Sequence, residues 1–124
     1  MIDFQCIVDS YKDAKRKTVR DIRILLCLMK EDDTCFSLSY LRRCTVSLSL
    51  FKVNIERDLG AGIPLLGKTK EKLQDAKRHL DKGDKEGCFR DIREAEKCFL
   101  KFKDWEFEKK LVIALRRCLK KVNL

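Results

Sequence analysis

The sequence predicts an all-α fold: an up-and-down four-helix bundle built from two αα-hairpins, with a C-terminal extension helix. Three observations carry that expectation. Apolar residues recur at three- and four-residue spacing through most of the chain. The one proline and three of the five glycines fall in a single break at 59–67, and the other interruptions are short polar turns of the kind that join antiparallel helices. At 124 residues, 44% hydrophobic and 40% charged, the chain has the size of one domain and the composition of neither a disordered nor a disulfide-scaffolded protein. The expected organisation is a single domain over 1–124: hairpin 1 at about 3–58, a crossover at 59–67, and hairpin 2 with the C-terminal helix at about 68–122.

The first helix starts behind Asp3 as N-cap. It runs through Ile7, Val8, Tyr11, Ala14, Thr18, Val19, Ile22, Leu25, Leu26 and Met29, which form one apolar stripe. The cluster Glu31, Asp32, Asp33, Thr34 ends it and offers Asp33 or Thr34 to cap the next. The second helix is expected over about 35–57, with Phe36, Leu38, Leu41, Thr45, Leu48, Phe51 and Ile55 inward. Residues 45–55 also alternate, Val46, Leu48 and Leu50 with Ser47 and Ser49 between them, which fits a strand. Helix is preferred, because a lone hairpin among helices would leave its edges unpaired.

After the crossover, the third helix is expected over about 68–81 with Leu73, Ala76 and Leu80 inward. Gly83 supplies the left-handed residue that ends it, and Asp84 caps the fourth helix, about 85–102, which turns Cys88, Phe89, Ile92, Ala95, Cys98, Phe99 and Phe102 inward. Asp104 opens a fifth helix with Trp105, Val112, Leu115, Leu119 and Val122 inward and Leu111 and Cys118 beside them, unless helices four and five form one bent rod. The two halves echo each other at a separation of 53, Cys35-Phe36 against Cys88-Phe89.

The formal charge is +9, and it is uneven: +2 up to Gly62 and +7 from Ile63 onward. An anion-facing surface is therefore expected mainly from the second half. Two basic rows stand out. Lys12, Arg16, Arg20 and Arg23 recur along the first helix, with Lys15 and Lys17 beside them; Lys109, Lys110, Arg116, Arg117, Lys120 and Lys121 crowd the fifth. Such rows can contact phosphates, and they equally serve as solvated faces or complement a helix C-terminus. Interleaved surface aromatics for base stacking are not expected.

Seven cysteines, none in a Cys-x-x-Cys pair, and a single histidine give no zinc pattern. Most of the cysteines are expected to be small buried hydrophobes. The alternative is one or two bridges, since abundant Lys and Glu with only two Gln and two Asn resemble a heat-adapted composition. Gly60-Ala61-Gly62 lacks the further glycine and the strand context of a phosphate loop. Asp75 and His79, four apart, read as a solvated contact rather than half of an acid/base site. No cofactor or metal is expected. No apolar run approaches the roughly 20 residues of a membrane span, and the start does not read as a signal peptide, so the chain reads as soluble and cytoplasmic without a membrane partner.

Leu73, Ala76, Leu80, Gly83-Asp84 and then 95–101, Ala-Glu-Lys-Cys-Phe-Leu-Lys, resemble the first hairpin of HEPN domains, small helical bundles of prokaryotic toxin and defence systems. The resemblance covers about a quarter of the chain. It implies a bundle and a pairing of copies. The RNA-cleaving members carry an Arg with a His a few residues after it in a late helix; here no His follows His79, and the only Arg close before it is the adjacent Arg78, so no catalytic residue is carried over. The functional expectation is a non-enzymatic adaptor, assembly or regulatory subunit with a protein partner, a homodimer being one form of it. The alternatives are a nucleic-acid-binding accessory protein using the two basic rows and a degenerate HEPN-type nuclease relative.

Overall fold

The computed structural model describes residues 4–31 and 33–122. Five helices account for nearly all of them: α1 (Phe4–Lys30), α2 (Thr34–Leu59), α3 (Pro64–Asp81), α4 (Lys85–Lys101) and α5 (Asp104–Val122). There is no strand among the described residues. Asp3, the expected first N-cap, lies outside them.

Local chemistry fixes most helix ends. Asp33 accepts the Phe36 N–H at 3.1 Å, and Asp84 accepts the Gly87 N–H at 2.9 Å, each filling a donor that the first helical turn leaves orphaned. Gly60 and Gly83 take positive φ of 71° and 78°, the left-handed geometry that closes a helix. The crossover is shorter than the sequence suggests, because α3 begins at Pro64 rather than near 68. Proline is preset for a first turn and has no N–H to satisfy there. Glu56 completes the joint by accepting the Ile63 N–H at 2.7 Å and the Lys52 ammonium at 2.7 Å.

Residues 45–55 are helical. Leu41, Cys44, Leu48, Phe51 and Ile55 face the core, while Val46, Leu50 and Val53 are about 60% exposed. The apparent alternation arose because α2 carries apolar side chains on its solvent face as well as its core face. Phe36 was expected inward; it is 60% exposed, and Ser37 is buried next to it. Cys35-Phe36 and Cys88-Phe89 do not occupy equivalent places: Cys88 is buried and Cys35 exposed, so the echo between the halves is not one of environment.

The helices α1, α2, α3 and α4 each pack on the next, α4 packs back on α1, and α5 lies against α1 and α2. Phe51 stands where these surfaces meet. Its ring makes edge-on contacts with Tyr11 of α1 (6.0 Å between centroids), Phe99 of α4 (5.6 Å), Phe102 in the α4–α5 joint (6.3 Å) and Phe107 of α5 (6.5 Å), the arrangement aromatic quadrupoles favour.

Helices α4 and α5 are separate rods, divided at Phe102, whose backbone is extended. Lys15 closes that break. Instead of joining the exposed basic row, it is buried: its ammonium donates to the Phe102 carbonyl and pairs with Asp104 at 2.8 Å. Lys12, also placed in the row, pairs with Glu108 at 3.0 Å. These two bonds fix the start of α5 on α1 and set its rotation. Phe107 and Leu111 therefore face the core, and the expected inward residues Trp105 and Val122 are 68% and 80% exposed.

Candidate functional site

The α1 row divides in the structure. With Lys12 and Lys15 drawn toward α5, Arg16, Arg20 and Arg23 remain exposed. Arg16 lies 2.9 Å from Asp13, Arg23 lies 3.3 Å from Glu96 of α4, and Arg20 sits 3.9 Å from buried Asp21, which Arg43 of α2 approaches at 3.4 Å. Surface pairs of this kind contribute little, so the guanidinium groups stay available to a partner. Beneath them runs a groove of about 700 Å³, with Val19, Ile24, Cys27 and Leu28 of α1 and Leu100 of α4 as its apolar wall. The three arginines line it too, Glu31 lies along it, and the Lys15–Asp104 pair adds a neutralised end. This gives an apolar channel with a net positive rim, on an element held along its other faces by α2, α4 and α5.

The α5 row holds together. Lys109, Lys110, Arg116, Arg117, Lys120 and Lys121 are all exposed. Among the described residues, no ion pair engages any of them. Trp105 and Ile113 share a surface depression with Glu106, Lys109 and Lys110. The expectation that no surface aromatic accompanies the basic residues is therefore corrected. The indole lies outside because α5 is rotated to turn Phe107 and Leu111 inward, and nothing local in the sequence distinguishes the Trp105 stripe from that pair.

His79 does not pair with Asp75. Its Nδ1 lies 2.6 Å from Asp91 Oδ2 across the α3–α4 hairpin, its Nε2 faces Asp84 at 3.9 Å, and Asp75 binds Arg78 instead. A side chain at Gly87 would clash first with the Asp84 carboxylate, at 2.9 Å from its Cγ, and would crowd the His79 ring at 3.1 Å, so glycine there makes room for the Asp84 cap and then for the imidazole. Both imidazole nitrogens are thus turned to carboxylates of one hairpin, which ties its two helices together. No group of three or more His, Cys, Asp or Glu among the described residues is arranged to hold a metal ion.

The cysteines also depart from expectation. Only Cys44 and Cys88 are buried; Cys98 is half-buried, and Cys6, Cys27, Cys35 and Cys118 are exposed. Burial, reinforced by Asp21, pushes the Cys44 thiol up to about 12, and burial with Asp91 and Asp84 pushes Cys88 up to about 11. The Tyr11 phenol is raised as well, by burial first and then by its hydrogen bond to Asp58. The unfolded chain releases these protons at lower pH than the folded one, so stability is present below the unfolded thiol value and is lost as pH rises through the folded values. Urea unfolding at stepped pH should give a stability that begins to fall near about pH 9 and keeps falling toward about pH 11–12. A stability flat across that range would contradict the buried-thiol assignment.

No helix among the described residues is long and apolar enough to cross a membrane. The chain matches no family model, no curated protein and no solved structure.

Proposed function

We propose that the protein is a non-enzymatic helical adaptor of the cytoplasm that docks an acidic amphipathic helix of a partner protein in the α1 groove. In this reading α1 to α4 form an up-and-down four-helix bundle, which the closed order of their contacts supports, and α5 extends it. The observation that carries the proposal is the pairing of an apolar wall, Val19, Ile24, Leu28 and Leu100, with Arg16, Arg20 and Arg23 along the same channel. A helix laid there would bury its apolar stripe against the wall and set the row of carboxylates beside that stripe against the arginines. The arginine fork pairs with carboxylates better than lysine does. The +9 charge would draw such a partner in from a distance.

Cys27 is an exposed thiol inside the groove and reports on its occupancy. Alkylation of Cys27, followed by mass spectrometry, should slow several-fold when a synthetic Leu/Glu amphipathic helix is added. Cys35 and Cys118, outside the groove, should react as before. Leu100→Glu and Arg20→Glu should each remove the protection. A Cys27 rate unchanged by the acidic helix, or protection given equally by a Leu/Lys helix, would refute the proposal. Protection without any peptide that rises with protein concentration would identify the occupant as a second copy of the chain and refute it as well. The HEPN-like reading of 73–101, which implies paired copies, favours that outcome, so the experiment separates the two.

A further inference from the structure

The α5 row is not explained by docking in the α1 groove, which none of its six cations lines. From Lys109 to Val122 there are six basic residues and no acidic one, so fourteen residues carry +6 of the chain's +9. Like charges at helical spacing repel one another and weaken the helix that carries them. The helix dipole accounts for Lys120 and Lys121 in the last turn, but its effect fades before Lys109, Lys110, Arg116 and Arg117.

The outer face has a definite order. Trp105, Lys109, Ile113, Arg116 and Lys120 follow at intervals of four, four, three and four residues and so share one stripe, in which Lys109 to Lys120 spans about 16 Å. Trp105, at one end of this stripe, is 68% exposed, although a tryptophan is among the side chains that gain most from burial. Glu106 is the only carboxylate lining the depression that Trp105 shares with Lys109, Lys110 and Ile113.

We infer that the outer face of α5 binds single-stranded nucleic acid, with phosphates along the Lys109–Arg116–Lys120 row and one base stacked on Trp105. An indole beside a cationic row is the pairing that single-strand binders use, because every base has a π-face and every linkage a charge. Duplexes keep their bases stacked on each other and offer the ring no partner. An anionic membrane would need a broad apolar face, and α5 turns Phe107 and Leu111 inward, leaving Trp105, Ile113 and the terminal Val122 outside.

Trp105 is the only tryptophan, so its fluorescence reports on the contact directly. Titrating the protein with a 12-nucleotide oligothymidylate at low salt should quench that emission. With a labelled oligonucleotide, log K against log salt should fall with a slope of about −3, as expected for four or five phosphates on a single strand. Trp105→Ala should weaken binding about tenfold, and Trp105→Phe should recover most of it. Replacing Lys109, Arg116 and Lys120 together by Gln should make the slope shallower by about 2. All four positions are exposed, so the variants should keep the wild-type circular dichroism. No binding at low salt would overturn the inference. So would affinity for a duplex, for anionic phosphatidylserine vesicles, or for polyphosphate or polyglutamate equal to that for the oligonucleotide. An unchanged affinity in Trp105→Ala would overturn it too.

Discussion

Phe51→Ala is expected to lower the unfolding free energy by about 3–5 kcal/mol and the thermal midpoint by roughly 10–20 °C. The size follows from what the ring touches. Phe51 is 3% exposed and meets aromatic side chains of α1, α4, the α4–α5 joint and α5. Truncation removes the apolar area of the ring and leaves a cavity that the surrounding helices close only in part. It also removes four edge-on ring contacts, each worth about 0.5–1.5 kcal/mol beyond area burial in favourable cases. Phe51→Leu refills much of the space and should cost less than half as much. The cost is measured by urea unfolding followed at 222 nm. A loss below about 1 kcal/mol in the alanine variant would mean that α5 does not close over α1 and α2 as described.

Asp104→Ala is expected to cost about 1–3 kcal/mol, more than Lys15→Met, although both break the same ion pair. The order comes from where the charges sit. The Lys15 side chain is 11% exposed and that of Asp104 is 44% exposed. Removing Asp104 leaves a buried ammonium with the Phe102 carbonyl as its remaining partner, and solvent reaching the carboxylate keeps the cost below that of a fully buried pair. Methionine at 15 removes the charge, fills the channel with a flexible apolar chain and leaves the Asp104 carboxylate near water. The Phe102 carbonyl loses its donor in that variant, so the change should cost about 1 kcal/mol rather than nothing. Denaturant unfolding of the two single variants and the double variant gives the coupling energy. The reverse order, with Lys15→Met the more damaging, would show that the ammonium is held by its hydrogen bond to the carbonyl and not by the pair.

The Lys15–Asp104 pair joins residues 89 positions apart, a distance no local sequence signal spans. Signals confined to a few neighbouring positions are legible: Asp33, offered alongside Thr34, and Asp84 as caps and Gly83 as a helix terminator follow from local backbone chemistry, whereas the same signals leave α4 and α5 open to forming one bent rod. The inward stripes of α1 and α4 were legible because one face of each is clearly more apolar than the rest. In α5 two apolar rows compete, Trp105–Val112–Leu119 and Phe107–Leu111, and the choice between them is made by Lys15 and Lys12 reaching across from α1. That information lies some ninety residues away in the chain. Lys15 could not be told from its basic neighbours by type or spacing; its burial follows from the break at Phe102, whose carbonyl has no helical donor.

The candidate sites were legible in part for the same reason. Arg16, Arg20 and Arg23 could be placed on one face from spacing alone, whereas the apolar wall beside them depends on Leu100 of α4 arriving from the second half. The cationic residues of α5 were recognised as a group, but their alliance with Trp105 required the helix rotation.

Docking in the α1 groove should leave the helical core in place. When the ¹⁵N-labelled protein is titrated with the Leu/Glu amphipathic helix, amide shift mapping should show a continuous track of shifted amides through Val19, Arg20, Ile24, Leu28 and Leu100, with Phe51, Phe99 and Phe107 unmoved. Shifts spread through those core residues, or gathered on a face that excludes α1, would contradict it.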